Sequence, residues 1–145
     1  MYRNVMVATD GSDVASSAVE HAASIARAFD ARLTIVTVAL LGPVVDSVLG
    51  TRTISQTVFD EIRRAAVDEC AIILAKASEA AGQDAGTEIV ESRNAYEGIL
   101  KSAADIGADL IVMGSHSRHP LSRLILGSQA SKVVNLSEVP VLIVK

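Results

Sequence analysis

Hydrophobic residues in this chain follow two patterns: short unbroken runs, and longer stretches where they recur every third or fourth position. Val5, Met6, Val7 and Ala8 form the first run, closed by Thr9-Asp10-Gly11-Ser12. An apolar run of strand length ended by turn residues marks a strand buried on both faces, as in a parallel sheet. Four more such segments follow, at 32–41 with Leu33, Ile35, Val36 and Val38 at its centre, and at 87–91, 110–113 and 141–144. Between them the spacing becomes helical. Ser12 or Asp13 caps a helix that carries Ala15, Val19, Ala22, Ala26 and Phe29 on one face and runs through Asp30. Val58, Ile62, Ala66, Cys70, Ile73 and Ala77 place the longest helix over 55–81, with Gly82 ending it. A third helix begins near Asn94, uses Ile99, Ala103 and Ile106, and is closed by Gly107; a fourth opens at Gly127-Ser128 with Val133 and Val134 inward. The stretch from Gly42-Pro43 to about Thr53 holds no firm period and reads as a loop, placed to act as a lid over the strand ends.

The tally, β-α-β-α-β-α-β-α-β over 145 residues, predicts one domain of the α/β class, a parallel sheet covered by helices on both faces. In open sheets of this kind ligands collect at the carboxyl ends of the strands, where the strand order reverses. Asp10, Val38 and Gly114 all fall near such ends. Three distant stretches of chain are therefore expected to meet in one crevice.

Charge and cysteine content narrow the function classes. A net charge of −4 argues against general affinity for DNA or RNA, which relies on many basic side chains neutralising phosphates. Cys70 is the only cysteine, so no intrachain disulfide forms and a reducing cytoplasm fits; its place on the apolar stripe reads as a core thiol. The apolar run inside residues 1–9 reaches Asp10 too soon for a secretory leader, and every apolar run is of strand length, far from a membrane span. The expectation is a cytoplasmic protein without membrane contact.

Candidate chemistry concentrates at 110–134. The apolar run from Leu110 to Met113 stops at Gly114, a loop carries Ser115, His116, Ser117, Arg118, His119 and Arg123, and Gly127-Ser128 opens the last helix. Backbone amides at a glycine turn and at a helix N-terminus can point one way, and the helix dipole adds positive potential, so this junction suits a phosphate. The same residues also serve as ordinary turn and N-cap chemistry. Asp10 is open to two readings as well, a turn residue capping the helix that follows or a hard oxygen ligand for Mg²⁺. His116 and His119 have no partner carboxylate at a diagnostic spacing, so they read as solvated or auxiliary phosphate contacts, and no catalytic residue is assigned. Two loop histidines and a core cysteine make no zinc set, and His21 reads as a helix residue.

Val-Met-Val-Ala-Thr-Asp-Gly-Ser-Asp at 5–13, Ala-Asp-Leu-Ile-Val-Met-Gly-Ser-His at 108–116, Leu-Ser-Arg-Leu-Ile-Leu-Gly-Ser at 121–128 and Val-Pro-Val-Leu-Ile-Val at 139–144 resemble the universal stress protein family. The resemblance covers essentially the whole chain as a single domain, 1–145. ATP-binding members of that family carry Gly, two residues, Gly, nine residues, then Gly with Ser or Thr. Here Gly114, Ser117 and Gly127-Ser128 keep the spacing, with Ser117 in place of the second glycine. If that position requires a left-handed backbone, a non-glycine residue costs roughly 1–2 kcal/mol, where about 1.4 kcal/mol is tenfold in affinity. A serine hydroxyl donating to a phosphate oxygen would offset part of this.

The resemblance implies a five-stranded parallel sheet in the order 3-2-1-4-5, Rossmann-like and of the adenine nucleotide α hydrolase-like type. It implies ATP contacts at Ala8, Thr9, Asp10, the backbone beside Val38, Met113, Gly114, Ser115, Ser117, Gly127, Ser128 and Gln129, with Asp10 reaching Mg²⁺ on the phosphates. It also implies a homodimer through Val141, Leu142, Ile143 and Val144. The activity so implied is a nucleotide-responsive regulatory or interaction module in stress response, at most a weak or partner-dependent ATPase. Two alternatives stand beside it. One is a dimeric stress protein of the same fold that binds no nucleotide. The other is an AMP-forming enzyme, whose glycine-rich pyrophosphate loop would follow the first strand, where residues 9–13 hold too few glycines.

Overall fold

The computed structural model describes residues 1–42, 55–82, 84–115 and 126–145. Five strands, β1 (Asn4–Ala8), β2 (Arg32–Leu40), β3 (Gly86–Ser92), β4 (Leu110–Gly114) and β5 (Val141–Val144), form one sheet. All four pairings are parallel and the order is β3-β2-β1-β4-β5, the order expected. Four helices connect them: α1 (Asp13–Phe29), α2 (Gln56–Ala81), α3 (Ala95–Asp105) and α4 (Ser128–Leu136).

Side chains alternate across the sheet with the period of two that a strand imposes. Val5 and Val7 pack with α1 and α2, through Ala18, Val19, Ala22, Leu74 and Ala77, together with Leu33, Ile35 and Val112. Met6 and Ala8 face the other way, onto Ile99 and Ala103 of α3 and Ala130 and Val133 of α4. Both faces of β1 are therefore buried, which is why its sequence is an unbroken apolar run. The face that α1 turns to the sheet is mostly alanine, and such small side chains let a helix lie close to the strands.

The local stop and start signals act as their chemistry predicts. Ser12 caps α1 by accepting from the Ala15 amide at 3.3 Å, and Ser55 caps α2 by accepting from the Val58 amide at 3.4 Å. Asp30 (φ 52°) and Gly82 (φ 60°) end α1 and α2 in the left-handed conformation. Arg27 donates to the Ala81 carbonyl at 3.0 Å, fastening the C-terminus of α2 to α1.

Three residues expected on buried faces are exposed. Phe29 is the last residue of α1, with its ring centroid 5.5 Å from that of Tyr2 in an edge-to-face arrangement. Val58 belongs to the first turn of α2, whose buried residues begin only at Cys70. Val134 turns away from the sheet because Val133 already occupies the inward position and α4 is only nine residues long. His21, as expected, sits on the exposed face of α1, its Nδ1 2.8 Å from the Ser17 carbonyl. β5 closes one edge of the sheet. Among the described residues no helix is long and apolar enough to cross a membrane.

Candidate functional site

β1 and β4 stop early, at Ala8 and Gly114, while β2 runs on to Leu40. The last paired position of β1 on β2 is Ala8 opposite Val36, and the Thr9 amide then donates to the Val36 carbonyl at 2.9 Å. Alternate residues of a strand turn their main-chain groups to the same side. Since Val36 faces β1, so do the N–H and C=O of Val38, two residues beyond the point where β1 has ended. Leu41 confirms the phase, for its amide donates the other way, to Ser92 of β3 at 3.0 Å.

These strand ends open on a cavity of about 590 Å³, within the range of about 300–1,000 Å³ typical of small-molecule sites. Its wall includes Ala8, Thr9, Asp10, Val38, Met113, Gly114, Ser115, Gly127, Ser128 and Gln129. Every sequence-predicted site residue that falls within the described part of the chain is thus brought to one place. Ser117 lies outside the described residues, as do His116, Arg118, His119, Arg123 and most of the predicted lid over 42–53.

The turn after β1 is internally bonded. Thr9 Oγ1 accepts from the Gly11 amide at 3.2 Å, and Asp10 Oδ1 accepts from the Ser12 amide at 3.0 Å. Asp10 is therefore a turn residue and a cavity residue at once, so its two readings are compatible. Gly11 takes φ 78°, where a side chain would be strained.

Gly114 is glycine for a different reason from the one its turn suggests. Its backbone is not left-handed, but a Cβ there would lie 3.0 Å from Val14 Cγ1 and 3.3 Å from the Ala15 amide nitrogen. The end of β4 runs against the first turn of α1, and that close approach needs the missing side chain. Gly98 plays the same part in α3, where a Cβ would meet the Val38 methyls at 2.9 and 3.0 Å.

The amides flanking the two loop glycines are not all turned to the cavity. The buried Ser115 donates its amide to the Val144 carbonyl at 2.8 Å, and its own carbonyl accepts from the Gly127 amide at 2.8 Å. These two bonds knit the end of β4 to β5 and to the start of α4. The positive end left facing the cavity is the first turn of α4, whose N-cap, Gly127, makes no side-chain cap.

The first turn of α3 is capped from outside. Asn94, at its N-cap, makes no capping bond; instead Gln129 of α4 reaches across and accepts from the Tyr96 amide through Oε1 at 3.1 Å. Lys132, three residues on, lies over the Tyr96 ring, 4.6 Å from its centroid.

Several wall residues were not read from the sequence. Ala66, Glu69, Cys70 and Ile73 roof the cavity from α2, Thr37 lies on β2, and Arg93 and Asn94 come from the turn between β3 and α3. The signal for α2 was its apolar stripe, which lines the cavity at Ala66, Cys70 and Ile73 and joins the core under α1 at Leu74 and Ala77. Cys70 is buried, as its stripe position suggested, with Thr37 Oγ1 3.9 Å from its sulfur. A bidentate bridge, Arg63 Nε to Glu91 Oε2 at 2.6 Å and Nη2 to Oε1 at 2.5 Å, pins the N-terminal half of α2 to β3. The hydrogen bond from Arg63 holds the Glu91 carboxyl below the usual glutamate range, and the same bond raises the guanidinium. Among the described residues no three His, Cys, Asp or Glu side chains gather to hold a metal ion.

Strand order and crevice together define a Rossmann-like α/β protein with its cavity at the topological switch point, beside β1 where the order reverses. The chain belongs to the universal stress protein family, matching it over residues 1–145. It is 37% identical over 149 residues to universal stress protein YxiE of Bacillus subtilis, with 100% of each chain covered. Among solved structures it is similar to MJ0577 of Methanocaldococcus jannaschii, at 27% identity and a TM-score of 0.82, covering 100% of this chain and 96% of that one. It is also similar to a universal stress protein solved in complex with cAMP, at 27% identity and a TM-score of 0.72, covering 99% and 97%.

Proposed function

We propose that this protein binds ATP, with Mg²⁺ on the phosphates, and serves as a nucleotide-responsive regulatory or interaction module in the stress response. One observation carries the reading: an unpaired strand edge at Val38 and the N-terminus of α4 bound the same cavity. The first offers a donor and an acceptor side by side, which suits adenine, whose N1 accepts and whose amino group donates. The second offers backbone N–H groups and positive potential, which suits a phosphate chain. The complex of a relative with cAMP supports an adenine nucleotide in a cavity of this kind.

Each residue then has a role. Val38 holds the base through its main chain, Ala8 and Met113 shape the floor, and Gly114 keeps the wall thin. Ser115, Gly127, Ser128 and Gln129 form the phosphate end. Asp10 at the rim supplies one hard oxygen toward Mg²⁺, which commonly takes one or two carboxylates together with phosphate oxygens. No catalytic residue is assigned, so the proposed work is binding and any turnover is slow or partner-dependent.

The protein is further proposed to act in the cytoplasm as a homodimer joined along β5. The Pro140 and Val144 carbonyls accept from the Ile111 and Ser115 amides of the neighbouring stretch, at 3.0 and 2.8 Å. By alternation, Val141 and Ile143 turn their N–H and C=O outward, along an edge open to a second copy. Titration calorimetry on nucleotide-free protein tests the ligand: saturable heat with MgATP is expected, and none at millimolar MgATP removes the reading.

A further inference from the structure

We infer that Gln129 is the residue that makes this cavity prefer a nucleotide with a phosphate chain over the bare nucleoside. The inference rests on the ATP reading above. Two helix N-termini, those of α3 and α4, meet at the cavity, and each would draw an anion. Asn94 has a side chain of the type best suited to cap α3, yet it makes no cap, and the Tyr96 amide is satisfied by Gln129 instead. That bond occupies one first-turn N–H of α3, whose first turn also carries the acidic Glu97, whereas the first turn of α4 holds no acidic residue and is the better place for phosphate.

The same bond fixes which way the Gln129 amide points. Oε1 is committed to the Tyr96 N–H, so Nε2 is the free end of a locked amide at the second residue of α4. Among the described residues Gln129 makes no other hydrogen bond, and none of their buried side-chain nitrogens or oxygens lacks a partner. Nε2 is therefore solvent-accessible, on a residue that lines the cavity. It presents two N–H donors next to the backbone donors of α4, in a group that carries no charge of its own.

Gln129→Glu separates this role from a structural one. A carboxylate still accepts from the Tyr96 amide, and negative charge at a helix N-terminus is favourable, so the melting temperature of the ligand-free variant is expected to equal or exceed that of the wild type. At the cavity the change replaces two donors by an anion. ATP affinity is expected to fall about tenfold or more, ADP less, and adenosine within about twofold. Gln129→Met, with no donor and only a weak thioether acceptor, is expected to melt lower and to narrow the ratio of ATP to adenosine affinity. All are read by calorimetry at fixed Mg²⁺ and ionic strength. A wild type that binds no nucleotide sinks the ATP reading and this inference with it. A wild type that binds ATP beside a Gln129→Glu variant that binds it equally, or that loses adenosine in the same proportion, overturns this inference alone.

Discussion

The Thr9 amide meets the Val36 carbonyl at 2.9 Å, one residue past the last pair of β1 with β2, and β2 then continues to Leu40. The step between the two strands leaves the main chain of Val38 beyond the end of β1, at the edge proposed to hold the base. An N–H beside a C=O complements N1 and the amino group of adenine, and hypoxanthine held in the same pose is mismatched at both positions, since its N1 donates and its O6 accepts. Inosine triphosphate is therefore expected to bind at least about tenfold more weakly than ATP, because mismatched buried donors and acceptors cost about 1–3 kcal/mol each. Equal affinities in competition titration would place the base elsewhere.

Gly114→Ala probes the contact between β4 and α1. The added methyl would sit 3.0 Å from Val14 Cγ1, which can shift, but also 3.3 Å from the Ala15 nitrogen and the Val14 carbonyl carbon, which are backbone. Overpacking of this kind costs roughly 1–3 kcal/mol. The urea midpoint is expected to fall accordingly, with the slope of the transition unchanged.

The pairing of Arg63 with Glu91 gives a small acid-dependent contribution with a definite sign. Glu91 is held below its ordinary value of 4.5 in the folded protein, chiefly by the hydrogen bond from Arg63. The stabilisation is therefore fully present above that value and is lost as pH falls through the lowered one. Wild type and Arg63→Gln should differ slightly in denaturant midpoint at pH 7 and converge in acid as pH falls through the lowered Glu91 value. Because both groups are solvent-exposed, 0.5 M salt should shrink the difference at neutral pH. A gap that widens in acid would refute the assignment.

Ile143→Pro tests the proposed dimer. The lost N–H points away from β4, so the ladder between β4 and β5 keeps its bonds and the variant is expected to fold. Sedimentation should show a monomer where the wild type sediments as a dimer. A variant with wild-type sedimentation would move the interface off this edge.

The strands were legible because parallel strands buried on both faces leave continuous apolar runs, as Val5 to Ala8 and Leu110 to Met113 do. The cavity was legible in outline because strand ends, turn residues and a helix start recur at fixed places along the chain. Less could be read where a residue's reason lies far away in sequence. Gly114 looks like a turn glycine, but Val14, a hundred residues earlier, is what excludes its side chain. Asn94 looks like a cap, but Gln129 does the capping. Val58 and Val134 fit helical spacing, yet periodicity says which face of a helix is apolar and not how much of that face meets the sheet.

The two apolar layers lie on opposite sides of the sheet and are closed by different helices. Damage confined to one layer therefore has no direct route to the other. Truncating Leu74 beneath α2 and Val133 beneath α4 should weaken the fold by amounts that simply sum, since distant residues with no shared neighbour behave independently. A chain built this way can change residues in the wall that backs α4 without forcing compensating changes in the layer under α1 and α2.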